Sequence, residues 1–592
     1  MPRTTLIGPL HALVLALGLL LQAPAWSASA DASFEAVGKR YVTEFGQYSP
    51  VSATQLGDHR YDGELDDLSP AGRARTLAWY KALLAELQGI DQAQLSRANQ
   101  VDAAMLENQL RYAVWSEEKF RDWSWDPTLY TQLAGQSLYG LLAREFAPLP
   151  QRLRSLTSRL EKLPVLLEQT RGNLVAERVP PIHAETAVKQ NPGVLSLVDE
   201  LVVPNLGQLP PAERERLETA IAQARQAVKA HQAWLEKELQ PKAKGEFRIG
   251  RELYDEKLGF ALMSPLSREE IRRRAESEAV ATRARMYDVA RKVLAGRAGA
   301  PPTPDQPTAA QQQAAIQAAL EIAGSQRPPR DGVVDLARDA LRETTAFVRA
   351  KDFVTVPSEP LDIILMPEFQ RGFAVAYCDS PGPLDKGQRT FFAVSPIPGD
   401  WNQAQVDSFL REYNTRSIAN LTIHEAMPGH YLQIAHSNRY PSVVRAMLSS
   451  GPFVEGWAVY AERVMQEQGF RADDPLMQLV QLKWYLRSIT NAIMDAGVHV
   501  DGMTRDEAMR LMVETGFQEE REAAGKWVRA QLSSAQLSTY FVGYQEHADM
   551  RAEAERRLGP RFDLKAYHDD VLSYGSPPVR FVRALLFDAP VR

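Results

Sequence analysis

Residues 424 to 430 read His424-Glu425-Ala426-Met427-Pro428-Gly429-His430, and their side chains are the parts of a hydrolytic metal site. Neutral imidazoles suit Zn²⁺, and a neighbouring glutamate can accept a proton from a water that such an ion acidifies. The spacing is unusual for that task. In an H-E-x-x-H helix the two histidines sit at i and i+4, about 40° apart on one face. Here they sit at i and i+6, which an unbroken helix places about 240° apart. Pro428 lacks the N–H that would bond back to the preceding turn, and Gly429 tolerates φ > 0. The Pro-Gly pair therefore predicts a bulge or break that brings His430 back to His424.

A second segment, Phe453-Val454-Glu455-Gly456-Trp457-Ala458-Val459-Tyr460-Ala461-Glu462, reads as an apolar helix carrying two acids on one face. Burying such acids unpaired is costly, and a cation removes the cost. Glu455 lies far enough beyond His430 for a connection and an antiparallel helix return. Two histidines plus Glu455 leave one tetrahedral zinc position open, as a catalytic site requires. Glu462 is then a candidate to orient a ligand histidine; the competing reading makes it a surface or Arg-paired residue. Phe453, Trp457 and Tyr460 are expected in the core rather than in the walls of a substrate pocket.

The run from Leu421 through Glu462, with H-E-A-x-P-G-H and E-G-W-A-x-Y-x-E, resembles the bacterial domain-of-unknown-function 885 (DUF885) family. The likeness continues in Asp495-Ala496-Gly497-Val498-His499, in Tyr540-Phe541-Val542-Gly543, and in Tyr567-His568-Asp569 with Gly575. Upstream it includes Leu56-Gly57-Asp58-His59-Arg60-Tyr61 and the strand from Arg389 to Phe392. The resemblance implies a helical, zinc-peptidase-like enzyme, distantly similar to the angiotensin-converting enzyme, thimet oligopeptidase and carboxypeptidase Taq group. It implies His424, His430 and Glu455 as ligands and Glu425 as general base. One position departs: the arginine usual four residues before the Asp of D-x-G-x-H is Asn491 here, with Arg487 one turn earlier.

Peptide hydrolysis also needs a group to balance the oxyanion of the tetrahedral intermediate. Tyr540 and Tyr544 lead the candidates, a choice strengthened by the tyrosines that the related helical peptidases carry in a comparable C-terminal segment. His499, Arg487, Arg529 and His568 follow. Asp495 stands at i−4 to His499 and could orient its imidazole. Against each stands the reading of a core residue with a satisfied polar tip.

The elements that must position these residues are mostly helical. Ser267-Arg268-Glu269-Glu270 and Thr504-Arg505-Asp506-Glu507 are capping boxes, and residues 68–90, 151–176 and 211–239 carry apolar spacing of three and four. The exception is Phe353 to Pro398, where Leu361–Leu365, Phe373–Tyr377 and Thr390–Val394 read as three strands. A small sheet next to the metal helix could hold an extended peptide along an edge, or serve structure alone. The expected fold is thus mainly α: a large helical metallopeptidase-like domain over 31–592 with a small β-sheet beside the active-site helix. Within it, 31–350 supplies N-terminal helices with an exposed Pro/Ala/Gln-rich loop at 296–313, 351–398 the sheet, and 399–592 the metal-site and C-terminal helices.

Residues 1–30 read as a cleavable signal peptide, with Arg3, an apolar stretch and Ala28-Ser29-Ala30, which points to a periplasmic or secreted protein. No Cys follows it, so no membrane anchor is expected. Removing Arg3 takes the formal charge from −6 to −7, a balance that does not suit nucleic acid or anionic lipid. The single cysteine, Cys378, excludes an intramolecular disulfide and Cys-rich zinc structures; a buried thiol is the expectation, a nucleophile the alternative. The function these residues suggest is an exported Zn²⁺-dependent hydrolase acting on short peptides. The alternatives are a zinc amidase or esterase on a non-peptide substrate, and a non-catalytic exported binding protein.

Overall fold

The computed structural model describes residues 25–367, 370–371 and 375–591. Residues 1–24 of the expected leader, and Phe373 and Ala374 of the expected second strand, lie outside these. The first helix, Ala25–Tyr48, runs across the expected cleavage point. Helix takes up 72% of the chain and the only sheet among the described residues has three strands, which makes the fold mainly α.

The helices begin where their capping chemistry places them. Ser69 accepts from Gly72 N at the start of Pro70–Gln88, with proline in the first turn, where its missing N–H costs nothing. Ser267 Oγ accepts from Glu270 N at 3.2 Å and opens Arg268–Leu294. The segments 151–176 and 211–239 become Leu149–Asn173 and Pro211–Trp234, the latter continuing as a π-turn over Leu235–Leu239. The exposed loop ends at Thr308, earlier than expected, because Thr308 and Gln311 form a reciprocal capping box that starts Ala309–Ser325. No described helix is long and apolar enough to cross a membrane.

Apolar side chains gather in a large cluster running from Tyr254 to Val582, which includes the sheet and the C-terminal helices. A separate cluster runs from Ala134 to Val228 among the N-terminal helices. The sheet comprises β1 (Leu361–Leu365), β2 (Ala376–Asp379) and β3 (Thr390–Val394), in the order β1-β3-β2. β1 runs parallel to β3, with Leu361 opposite Thr390, and β2 runs antiparallel, with Ala376 opposite Val394. β2 thus extends past the expected Tyr377 to Asp379, where Arg144 Nη2 donates to the Asp379 carboxylate at 2.8 Å and closes the strand. It is an edge strand. Val375 O accepts from Ser395 N, so by antiparallel alternation the main-chain groups of Ala376 and Cys378 face away from β3.

Candidate metal centre

Six helices form the site: α1 (Thr415–Glu425), α2 (His430–Ser437), α3 (Gly451–Glu467), α4 (Pro475–His499), α5 (Glu520–Leu532) and α6 (Ser538–Leu558). The Pro-Gly pair breaks the helix outright rather than bulging it. α1 ends at Glu425, a cis Met427–Pro428 bond follows, and α2 starts at His430. Gly429 has φ −78°, so its freedom at positive φ is not what the turn uses. It is required for space, since a Cβ there would sit 1.9 Å from the His424 carbonyl oxygen. Trp457 Nε1 donates to Pro428 O at 2.9 Å and fixes the break against α3.

This turn brings the expected donors together. The rings of His424 and His430 stand 4.8 Å apart and nearly perpendicular. Glu455 Oε2 lies 3.5 Å from His424 Nε2 and 3.4 Å from His430 Nε2. Two donors about 2.1 Å from a tetrahedral ion stand about 3.4 Å apart. Glu455 Oε2 and His430 Nδ1 are buried with no hydrogen-bond partner among the described residues. His424 Nδ1 donates to Glu462 Oε1 at 2.7 Å, and Asn420 Nδ2 donates to the other Glu462 oxygen at 2.8 Å. Glu425, Glu455 and Glu462 form no ion pair with Lys or Arg among the described residues. Two imidazoles and the Glu455 carboxylate, with no Lys or Arg paired to them among the described residues, are a donor set that fits a divalent cation.

Glu425 faces the same space. Burial pushes its pKa above the ordinary glutamate value, His430 and His424 oppose this, and the backbone N–H of Cys378 on β2 bonds its carboxylate. The Cys378 thiol is itself pushed up by burial and stays protonated. Tyr540, on α6, places its ring 6.5 Å from that of His424, and its hydroxyl accepts from Arg529 Nη2 at 2.9 Å. These residues line a cavity of about 980 Å³, together with Ala376, Tyr377 and Cys378 of β2 and with Glu185 and Lys189 of the helix Pro181–Gln190.

Other expected participants lie elsewhere. His499 does not reach the cavity: its Nε2 donates to Ala530 O and Ser533 O, both at 2.9 Å, and ties the end of α4 to the end of α5. Nor does Asp495 orient it; that carboxylate accepts from the backbone N–H groups of Ala535 and Ser538 at 3.1 Å each. The i, i+4 spacing put the two on one face, but that face meets the loop before α6. His568 is a core residue, donating to Phe353 O and accepting from the Tyr460 hydroxyl at 2.8 Å. The Tyr544 hydroxyl accepts from Arg463 at 3.1 Å. Phe453, Trp457 and Tyr460 are buried, as expected. Arg487 does line the cavity and is clamped by Glu522 and the Tyr413 hydroxyl. Sequence reasoning missed Lys526 and Glu522, which belong to no motif; their i, i+4 spacing on one face of α5 was the available signal.

The fold is mainly helical, and a broken helix brings two histidines within reach of Glu455 on a neighbouring helix. The chain belongs to the family of bacterial proteins of unknown function DUF885, which it matches over residues 50–586. It is similar to the solved structure of a "putative lipoprotein of unknown function" from Shewanella oneidensis, with TM-score 0.77 and 35% identity over 94% of this chain and 99% of the other. A "putative lipoprotein" from Colwellia psychrerythraea shares the fold at TM-score 0.74 and 19% identity, over 94% and 99% of the two chains. No curated protein matches.

Proposed function

We propose that this protein is an exported zinc-dependent peptidase of short peptides. One observation carries the reading: His424 Nε2, His430 Nε2 and Glu455 Oε2 converge at tetrahedral-ligand separations in a cavity that Glu425 also faces. His424, His430 and Glu455 would hold the ion, and Glu462 would hold His424 in the tautomer that presents Nε2. A zinc ion bound there supplies an acidified water and polarises the substrate carbonyl.

The remaining chemistry belongs to the chain. Glu425, its proton affinity raised by burial, takes the proton of the attacking water and passes it to the leaving amine. Tyr540, its hydroxyl oriented by Arg529, donates to the oxyanion of the tetrahedral carbon. On the edge of β2, the main-chain groups of Ala376 and the Cys378 carbonyl, which Glu425 does not take, are offered to an extended peptide along the cavity wall. Export is supported by the leader-like residues 1–30 and by relatives described as lipoproteins.

The test pairs zinc content by elemental analysis with cleavage of a mixed short-peptide library, in wild type and Glu425→Gln. Near-stoichiometric zinc in both, with turnover reduced about 10²–10⁴-fold in the variant, is expected. Zinc without cleavage in either protein would move the substrate to a non-peptide amide or ester. Absence of zinc after reconstitution would remove the site.

A further inference from the structure

α5 presents Glu522, Lys526 and Arg529 toward the cavity at i, i+4 and i+7. Glu522 is already engaged, by Arg487 and by the Tyr413 hydroxyl. Among the described residues Arg529 donates to neutral partners, Gln536 Oε1 and Tyr540 Oη, both at 2.9 Å. Lys526 is 6% exposed, lines the cavity, and its ammonium has neither an ion-pair nor a hydrogen-bond partner among the described residues. The side chain is buried along its stem, and the ammonium at its end opens on the cavity. Burial, followed by the fields of Arg487 and Arg529, holds its pKa well below that of free lysine, against the pull of Glu522 and Glu455. With Glu522 taken up by Arg487 and Tyr413, Lys526 and Arg529 leave this stretch of wall rich in donors, and an anion arriving from solution favours the charged lysine.

We propose that Lys526 and Arg529 form a carboxylate-binding subsite for the substrate. That the carboxylate belongs to a peptide rests on the peptidase reading above. Arg529 is one hydrogen bond from Tyr540, whose ring is 6.5 Å from that of His424. Lys526 and Arg529 share one cavity with His424, His430 and Glu455, so a carboxylate they hold lies within a few residues of the bond under attack along an extended peptide. This selects peptides cut near a free C-terminus, or peptides with an acidic side chain just beyond the cut.

Binding to zinc-loaded Glu425→Gln, measured by calorimetry, tests the subsite without turnover. The probes are N-acetyl-Ala-Ala-Ala-Ala as free acid, the same peptide as C-terminal amide, and N-acetyl-Ala-Ala-Asp-Ala amide. The free acid is expected to bind about tenfold or more tightly than the plain amide, the weight of one hydrogen bond to a charged group. The added substitution Lys526→Gln should shrink that difference severalfold, whereas Lys526→Arg should retain most of it. Run on metal-free protein as well, the acid-to-amide comparison separates the subsite from a carboxylate bound to zinc, and it needs no change at Lys526 should those variants fail to fold. Tight binding of the aspartyl amide places the recognised carboxylate on a side chain and upholds the subsite. Equal binding of all three probes, or binding of none at millimolar concentration, overturns it. Acid selectivity in a wild-type protein that cleaves no peptide keeps the subsite and removes the peptidase reading; cleavage without acid selectivity does the reverse.

Discussion

Glu462 decides which nitrogen of His424 faces the cavity. Its Oε1 takes the Nδ1 proton at 2.7 Å, and Asn420 holds its other oxygen, so Nε2 is left for an ion. His430 has no such brace, because its Nδ1 is buried without a partner among the described residues. The burden of orientation therefore falls on one glutamate. Glu462→Gln should weaken zinc binding about 10–100-fold, measured by competition with a chelator, while helix content stays constant. Unaltered affinity would reduce Glu462 to a packing role. The pair His424–Glu462 was legible as a possibility from the helix face shared by Glu455 and Glu462. The Lys526 environment was not, because a lysine on an amphipathic helix reads as solvated until the elements packed over it are known.

At the scale of elements, the site depends on how closely α3 and α6 approach. A Cβ on Gly456 would lie 2.3 Å from the Gly543 carbonyl carbon, and one on Gly543 would lie 1.9 Å from Pro452 O. The helices thus touch backbone to backbone, which sets the reach from Glu455 on one to Tyr540 on the other. Gly543→Ala should destabilise the fold by about 1–3 kcal/mol in urea melts and lower turnover more than zinc content. Unchanged stability would show that the helices part without penalty. A second tie runs from the N-terminal segment to the loop joining β2 and β3. His59 stacks on Phe146 with ring centres 3.6 Å apart, and its nitrogens meet Asp62 at 3.1 Å and Asp385 at 3.0 Å. Burial opposes the charged ring, but Asp385 and Asp62 outweigh it and raise its pKa to about 9. Since the folded value exceeds the ordinary 6.5, the tie stabilises fully below that pH and fades as pH rises through about 9. The Tm gap between wild type and His59→Gln should accordingly be open near pH 6 and closed near pH 10. A gap independent of pH would assign the loss to ring stacking alone.

Across the whole molecule, the cavity is built from distant parts of the sequence. The helix Pro181–Gln190 contributes one wall, and β2 with α1 to α6 contributes others. The connection between His430 and Glu455 is pinned to the N-terminal half by Arg445. This arginine is fully buried, pairs with Asp102, and donates to Ala98 O at 2.8 Å and Tyr574 O at 3.1 Å. Arg445→Ala leaves the Asp102 carboxylate buried and unpaired, and should cost about 3–5 kcal/mol in denaturant melts. The double substitution Asp102→Asn with Arg445→Met should recover part of that loss. If the double variant is as unstable as the single, the arginine's bonds to carbonyls, rather than the pair, hold the two halves.

The sequence by itself determined the helical character, the presence of three strands with the bounds of β1 and β3, and the convergence of His424, His430 and Glu455. These follow from local rules: capping residues, periodicity, a Pro-Gly break, and acids on an otherwise apolar helix. The register of β2 and the early end of the 296–313 loop also rest on short-range chemistry, but on partners such as Arg144 and Gln311 that compete with propensity. Tertiary structure alone decided that Tyr540 faces the donors while Tyr544, His499 and His568 do not. Residues of one helix share similar local sequence, and which face meets the cavity depends on contacts many residues away. The backbone contact of Gly456 with Gly543 and the unpartnered Lys526 are of that kind. Both are properties of a distance between elements, which periodicity does not encode.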